Sequence, residues 1–328
     1  MWIISYCQSW ILLSTVKYIE MFTIAQLKAF VEANPKLVTR RESVTYPGLF
    51  VLKYTRKVFY DNLWDADGIL NECRGMVVDK DYIPVIVPFT KIYNRGENDT
   101  DIPLDEEVVV VEKINGFMAT ATWTKQYGVV VSTTGSLDSD FVKLAKKWLE
   151  PSIIPYIAKF EIPQWTYIFE ICDLTDPHII KELPGPVLIG LSSLSGFRLN
   201  RPDEFNKVNR GEEWLDDCAL RMGVRRPSHF RLKFEKVVEA VKMDIKEGYV
   251  VYGNTTTLKM KSSFYLIKKL FARKKNEYLS VDWLIGCKHT IDEEYYPLVD
   301  KIIEDKEFFM LLDEQQKLKY IEDFLRKK

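Results

Sequence analysis

Histidine is scarce in this chain and cysteine is scattered. His178, His229 and His289 are the only histidines and show no paired spacing, which argues against a structural zinc site. The five cysteines, Cys7, Cys73, Cys172, Cys218 and Cys287, are odd in number and form no Cys-x-x-Cys pair. Reduced thiols and a cytoplasmic setting are therefore expected rather than a disulfide framework, with Cys73 as an inert packed thiol. A basic excess is also missing: 46 Lys and Arg face 47 Asp and Glu, for a net charge of −1, so any polyanion site must be local. No internal repeat or low-complexity linker is visible. No apolar run suffices for a bilayer span, and no membrane partner is expected. The apolar-rich residues 1–13 are short and interrupted by Ser5, Gln8 and Ser9, and they lack a basic leader and a cleavage signal. Residues 1–20 are expected to be a start-site extension ahead of Met21, with an extra packed helix as the alternative.

What remains is a normal globular balance, 47% hydrophobic and 28% charged over 328 residues. Thr23 to Val31 reads as a capped amphipathic helix. Residues 44–60 read as strands around the turn Pro47-Gly48, and 61–70 as a connecting loop. A strand pair is expected at 76–79 and 84–88. Three more strands follow at 107–111, 118–123 and 128–133, the last two joined as a hairpin through Lys125, Gln126, Tyr127 and Gly128. Helical spacing runs from Asp138 to Lys159 through Phe141, Leu144, Ala145 and Trp148. Strand signals return at 165–172 and 187–192, helical ones at 201–223 and 233–244, and strands again at 248–252 and 257–261. From about Phe264 the chain turns helical and charged. The pattern is α+β, a strand-rich body followed by a helical tail.

Within that body, Lys113 follows the apolar run Glu107 to Val111 and precedes the turn Asn115-Gly116. A lysine at the mouth of a strand, held by a tight turn, is a candidate nucleophile once it sheds its proton. Taken alone, a Lys-x-Asn-Gly segment is usually a surface turn. Glu170 alone reads as a strand-end charge, and Lys259 with Lys261 as a solvated strand face. The ordered set carries more than its members. It runs through Glu72-Cys73-Arg74-Gly75, Lys91-Ile92-Tyr93-Asn94, Lys113-Ile114-Asn115-Gly116, Thr134-Gly135-Ser136, Phe169-Glu170-Ile171, Glu247-Gly248-Tyr249-Val250 and Lys259-Met260-Lys261.

That order resembles the ATP-dependent RNA ligases of the T-even-phage RNA ligase 1 type, within the covalent nucleotidyltransferase superfamily, over roughly Tyr46 to Ile267. The resemblance implies a nucleotidyltransferase domain (an ATP-grasp-like ligase fold) of antiparallel sheets with flanking helices, over residues 21–263. A short all-helical region, residues 264–328, follows it. It implies ATP and Mg²⁺ (or Mn²⁺) as cofactors, and Lys113 attacking the α-phosphate of ATP to give a lysine–AMP adduct. Cations at Lys259 and Lys261 would favour the neutral amine and offset charge on the α-phosphate. Arg74 and Lys91 become phosphate contacts, Glu112 and Gly116 parts of the ATP site, and Glu170 a ribose contact. Glu247, with Glu170, becomes a metal carboxylate acting through water. The implied partner is single-stranded or broken-loop RNA, such as a cleaved tRNA anticodon loop. An end-healing polynucleotide kinase-phosphatase would act upstream, in a host cytoplasm if the protein is viral.

Three departures from the family pattern stand out. Asn115 replaces the usual aspartate, with activity expected to survive. Thr134 replaces a lysine, for which Lys125 or Lys143 are candidate substitutes. His178 replaces an arginine. In the tail, Lys268, Lys269, Arg273, Lys274 and Lys275 form a basic cluster suited to RNA phosphates or, equally, to a solvated helix face. Two other readings are open. A DNA ligase or capping guanylyltransferase would normally carry a strand-rich OB domain after the last motif, where this chain turns helical. A non-catalytic RNA- or nucleotide-binding protein would have no use for the intact set Lys113, Glu170, Glu247, Lys259 and Lys261.

Overall fold

The computed structural model describes residues 22–160, 165–193 and 211–325. The expected extension at 1–20 and the helical signal at 201–210 lie outside them. The strands, in chain order, begin with β1 (Val38–Glu42), β2 (Phe50–Tyr54), β3 (Arg74–Val78), β4 (Pro84–Ile86) and β5 (Tyr93–Asn94). The middle of the chain supplies β6 (Glu107–Glu112), β7 (Phe117–Thr124), β8 (Gly128–Thr133), β9 (Trp165–Cys172) and β10 (Gly185–Ser193). The last three are β11 (His229–Lys233), β12 (Gly248–Tyr252) and β13 (Thr257–Lys261). They form three sheets with orders β1-β2-β3-β4, β10-β9-β7-β8 and β11-β6-β12-β13-β5. Every strand pairing among the described residues is antiparallel except β13 with β5, which is parallel.

The first two sheets are joined by side chains as well as by packing. Val51, Val77 and Ile86 of the first share a core with Val130 of the second and with Leu137, from the segment after β8. The Val87 N–H donates to Thr166 Oγ1 at 3.1 Å, and Ser192 Oγ donates to the Val87 carbonyl. The helices Asp140–Leu149 and Ile153–Phe160 cover the second sheet, where Val142, Ala145 and Leu149 pack on Phe169 and Leu188. The third sheet buries Val108, Val110, Val251 and Leu258 under the helix Phe234–Lys242. After β13 five helices, from Ser263–Ala272 to Glu314–Leu325, close around Phe271, Leu284, Leu298, Ile302 and Phe309. Ile179, from the segment between β9 and β10, inserts into that helical core.

The helix Ile24–Ala33 starts with the expected reciprocal cap: Thr23 Oγ1 accepts from the Gln26 N–H, and Gln26 Oε1 accepts from the Thr23 N–H. Two expectations for the N-terminal third need correction. Within 44–60 only Phe50–Tyr54 is strand, because Arg56–Tyr60 forms a helical turn and the strand across the Pro47-Gly48 turn from β2 is β1, upstream of the stretch. β1 was hard to see because it is an edge strand with one buried residue, Val38, so it lacks alternation. The loop at 61–70 holds a short 3₁₀ turn, Trp64–Ala66, and the start of the helix Ile69–Glu72. The long helical stretch at 138–159 is two helices, parted at Pro151, which cannot continue the first. No helix among the described residues is long and apolar enough to cross a membrane.

Candidate active site

β6 belongs to the third sheet and β7 to the second, so the turn between them passes from one sheet to the other. Lys113 to Gly116 is that turn. The Lys113 N–H donates to the Gly248 carbonyl at 2.9 Å, pinning the crossing to the start of β12. Gly116 is required where the turn meets β9: a methyl group there would lie 2.3 Å from the Ile171 carbonyl oxygen. Its N–H donates to Glu170 Oε1 at 3.1 Å.

Lys113 Nζ lies 2.9 Å from Glu247 Oε2, and the same oxygen accepts from Asn115 Nδ2 at 2.7 Å. Glu247 is only 2% exposed, so these partners are what make its burial tolerable. Its other oxygen is 4.0 Å from Lys261 Nζ. Asn115 is itself fixed, because its Oδ1 accepts from the Ile180 N–H at 2.9 Å and its N–H donates to Glu182 Oε1 at 3.2 Å. An amide can donate to Glu247 and accept from Ile180 at once, which an ionised aspartate could not do. The Asn115 departure thus has a local reason.

Lys259 and Lys261 sit two residues apart on β13 and share a face, while Leu258 and Met260 point into the core beneath. β5 runs beside them, with Asn94 opposite Lys259. Just upstream, Lys91 Nζ lies 3.2 Å from Glu97 Oε1 and over the rings of Tyr93 and Trp64, at 4.3 and 4.8 Å from their centroids. Arg74 opens β3 and directs Nη1 toward Met118 Sδ at 3.9 Å. All three sheets therefore contribute: Arg74 from the first, Glu170 from the second, and Lys259 and Lys261 from the third.

The charges respond to this crowding. Burial, reinforced by Lys91, Arg74 and Lys261, pulls Lys259 down to about 7 from the ordinary lysine value of 10.5. Burial likewise lowers Lys91 against the pull of Glu97, and lowers Lys261 with help from Lys269. Glu170 moves the other way: burial raises it, opposed by Lys113. Burial works to raise Glu97 too, but the Asn94 N–H and Lys91 outweigh it and hold the carboxyl below its usual range. Cys73 is fully buried and its thiol is pushed up to about 12, which makes it unreactive.

Eight of the nine expected residues come together here. The ninth, Glu112, does not bring its carboxylate to the cluster. It receives Lys246 Nζ at 2.7 Å and Ser228 Oγ at 3.0 Å, one strand position away from Lys113. Two members were not expected: Glu97, three residues past Asn94, and Lys269, which had been grouped with the tail cations. Lys261 and Lys269 flank one ring, Tyr265, at 5.1 and 5.9 Å. Only the helix that begins at Ser263 turns Lys269 back toward β13. Neither suggested substitute for a lysine at Thr134 is placed for that role. Lys125 lies at the far end of the β7–β8 hairpin, about 16 Å of strand away. Lys143 pairs with Asp140 at 2.9 Å on an exposed helix face. His178 is held by Asp176 at 2.9 Å.

The architecture matches the nucleotidyltransferase fold of ATP-dependent ligases. Two forms of an archaeal ATP-dependent RNA ligase are similar to it, with TM-scores of 0.51 and 0.53 and 18% and 16% identity. They cover 88% and 87% of this chain and 77% of the other chain in both cases. A provisionally assigned ATP-dependent DNA ligase from Aquifex aeolicus is similar too, with a TM-score of 0.52 and 15% identity over 90% of this chain and 76% of that one. At such identities the likeness is one of fold. The family is shown by sequence: residues 72–278 match the RNA ligase family model, and the chain belongs to that family. The match supports the resemblance drawn from the ordered motifs. No curated protein matches the chain in a sequence search.

Proposed function

We propose that the protein is an ATP-dependent RNA ligase that joins 5′-phosphate and 3′-hydroxyl RNA ends through a covalent lysine–AMP intermediate. The observation that carries this reading is Lys113 Nζ, fixed 2.9 Å from Glu247 at a junction of two sheets and faced by cations from β13. A nucleophile so placed has one difficult task, attack on a heavily charged phosphate, and the surrounding cations lower that barrier by offsetting the charge. The amine of Lys113 attacks the α-phosphate, the bond to the β-phosphate breaks and pyrophosphate leaves. AMP then passes to the RNA 5′-phosphate, and the 3′-hydroxyl displaces AMP to form the phosphodiester bond.

Arg74, Lys91, Lys259 and Lys261 bind the phosphates in this reading, and Glu170 accepts hydrogen bonds from the ribose hydroxyls. Gly116 lets the turn approach β9 closely, so that its N–H holds Glu170 in place for the nucleotide. Glu170 and Glu247 suit a hydrated Mg²⁺ (or Mn²⁺), a hard cation that keeps several waters and needs only one or two carboxylates beside substrate phosphates. The described residues contain no cluster of three or more His, Cys, Asp or Glu that would favour a dedicated protein cage. The metal would supply further charge neutralisation at the phosphates. Broken tRNA in a cytoplasm is the proposed substrate setting, with a kinase-phosphatase preparing the ends.

The test is incubation with α-labelled ATP or GTP and Mg²⁺, followed by a denaturing gel. Label from ATP is expected on the wild type, and Lys113→Ala should lose it entirely. Equal label on both would remove Lys113 as nucleophile, and label from GTP alone would favour a capping enzyme. The archaeal and Aquifex likenesses show that one fold serves ligases named for RNA and for DNA, so a nicked duplex DNA must be offered beside single-stranded RNA. Preference for the DNA nick would overturn the RNA assignment.

A further inference from the structure

Lys53 lies on β2 opposite Arg74 on β3, next to the irregularity where Gly75 is skipped in the pairing. Residues directly opposite across an antiparallel pair project from the same face, with Cβ atoms about 5 Å apart. Two cations in that relation repel each other. Lys53 forms no side-chain ion pair among the described residues, and the contact found for the Arg74 guanidinium is a sulfur, Met118 Sδ. Neither β2 nor β3 carries an acid that would explain the pair.

The Lys53 side chain reaches the turn that follows β8. A methyl group on Gly135 would lie 2.9 Å from Lys53 Nζ, so the ammonium rests against that turn. The turn is locked to β3 as well, since a methyl group on Gly75 would lie 2.7 Å from Thr134 Cα. Thr134, Gly135 and Ser136 contribute no cation of their own. The turn is held by backbone bonds, with the Thr133 N–H donating to the Ser136 carbonyl at 3.0 Å. Arg74, beside Lys53, already acts electrostatically on Lys259 and Glu170 inside the pocket. Lys53 is thus an exposed cation at the rim of the same pocket, backed by Thr134 and next to Arg74.

We propose that Lys53 is a further phosphate-binding residue of this site, pairing with Arg74 to hold a phosphate group at the Thr134-Gly135 rim. An anion between the two converts their repulsion into two charge-assisted contacts. The proposal rests on reading the pocket as a phosphate-handling site. Two phosphates have the right chemistry, the outer part of a nucleoside triphosphate and the 5′-phosphate of RNA.

Equilibrium binding with two probes tests this without requiring turnover: inorganic tripolyphosphate, and an oligoribonucleotide with a 5′-phosphate compared against its 5′-hydroxyl form. Lys53→Ala should weaken at least one probe by on the order of 10- to 100-fold, the range for a lost contact to a charged group. Loss confined to tripolyphosphate assigns the nucleotide, and loss confined to the 5′-phosphate assigns the RNA end. Lys53→Arg should retain binding, and adding Thr134→Lys to Lys53→Ala should restore it, because position 134 adjoins the place the ammonium occupied. Unchanged binding of both probes by Lys53→Ala overturns the proposal, as does a loss that neither Lys53→Arg nor the Thr134→Lys addition repairs. Absence of covalent label on the wild type would instead defeat the nucleotidyl-transfer reading, while leaving these binding results decisive for Lys53.

Discussion

Two groups of cations in this chain have the same composition and opposite circumstances. On the sheets, Arg74, Lys91, Lys259 and Lys261 converge with Lys113 on a space holding Glu97, Glu170 and Glu247, so positive charge is in surplus. In the helical tail most cations have been matched one to one. Lys268 is 4% exposed and 3.0 Å from Glu322, Arg273 is 2.8 Å from Glu314, and Lys275 is 3.8 Å from Glu277. Lys274 rests over Trp283 at 4.3 Å, and Lys269 has turned back toward Lys261. The basic run in the sequence is thus not one patch. It is a set of helix-to-helix ties and one addition to the pocket. Surplus charge marks a place for an anion; balanced charge holds elements together.

The comparison breaks most sharply if the two groups respond alike to substitution. Lys259→Ala and Lys261→Ala should each slow adenylation by about 10²- to 10³-fold, the loss seen when one preorganised charge partner is removed from a transition state. Arg273→Ala should change that rate by less than about 2-fold, since an exposed pair of this kind contributes little. Single-turnover labelling rates would measure both, and comparable losses would abolish the distinction.

Asn115→Asp comes next in size. It replaces the amide that donates to Glu247 at 2.7 Å with a second carboxylate. A destabilisation of about 1–3 kcal/mol is expected in urea melts, from the lost donor and the repulsion between two buried carboxylates, while the Ile180 N–H keeps an acceptor. The repulsion raises carboxyl pKa values in the folded state, so the penalty should grow as pH rises from acid toward neutral. A variant as stable as wild type at pH 7 would contradict this account of Asn115.

Lys268→Ala should cost about 1–2 kcal/mol by removing the ion pair with Glu322 and the packing of the buried lysine stem, yet leave ATP-dependent labelling near the wild-type rate. A fall in labelling with unchanged stability would move Lys268 into the functional group.

The smallest effect concerns pH. With Lys259 at about 7, kcat/KM for ATP should decline on the alkaline side of that value as the ammonium is lost. Glu97 supports the charge on Lys259, so Glu97→Gln should shift the decline to lower pH; a shift to higher pH would refute the assignment. In stability the sign is reversed. Lys259 binds its proton more weakly folded than unfolded, so its contribution to stability improves as pH rises from about 7 toward 10.5.

Much of the strand framework was legible because its sheets bury one or both faces. β12 and β13 match the expected 248–252 and 257–261, and β6 to β9 fall within a residue or two of expectation, since Val and aromatic runs there serve a buried core. β1 and the helical turn Arg56–Tyr60 were misread because exposed edges and short helices leave little periodicity. For the site, the residue types and their order pointed to Lys113, Glu170, Glu247, Lys259 and Lys261. Glu97 and Lys53 carried no signal of their own. Each is an ordinary charged residue whose significance comes from what faces it across a fold.

By itself the sequence determined which chemistry-bearing residues exist, their order, and the alternation that places Lys259 and Lys261 on one face of β13. These are local properties, set by the period of the backbone and by turn chemistry. Tertiary structure alone decided which charges meet. Glu112 and Lys113 are neighbours in the chain, yet the Glu112 carboxylate is taken by Lys246 while Lys113 reaches Glu247, because successive strand residues point to opposite sides. Burial and the approach of three sheets then fixed which lysines carry a full charge, and those are sums over space that no stretch of sequence contains.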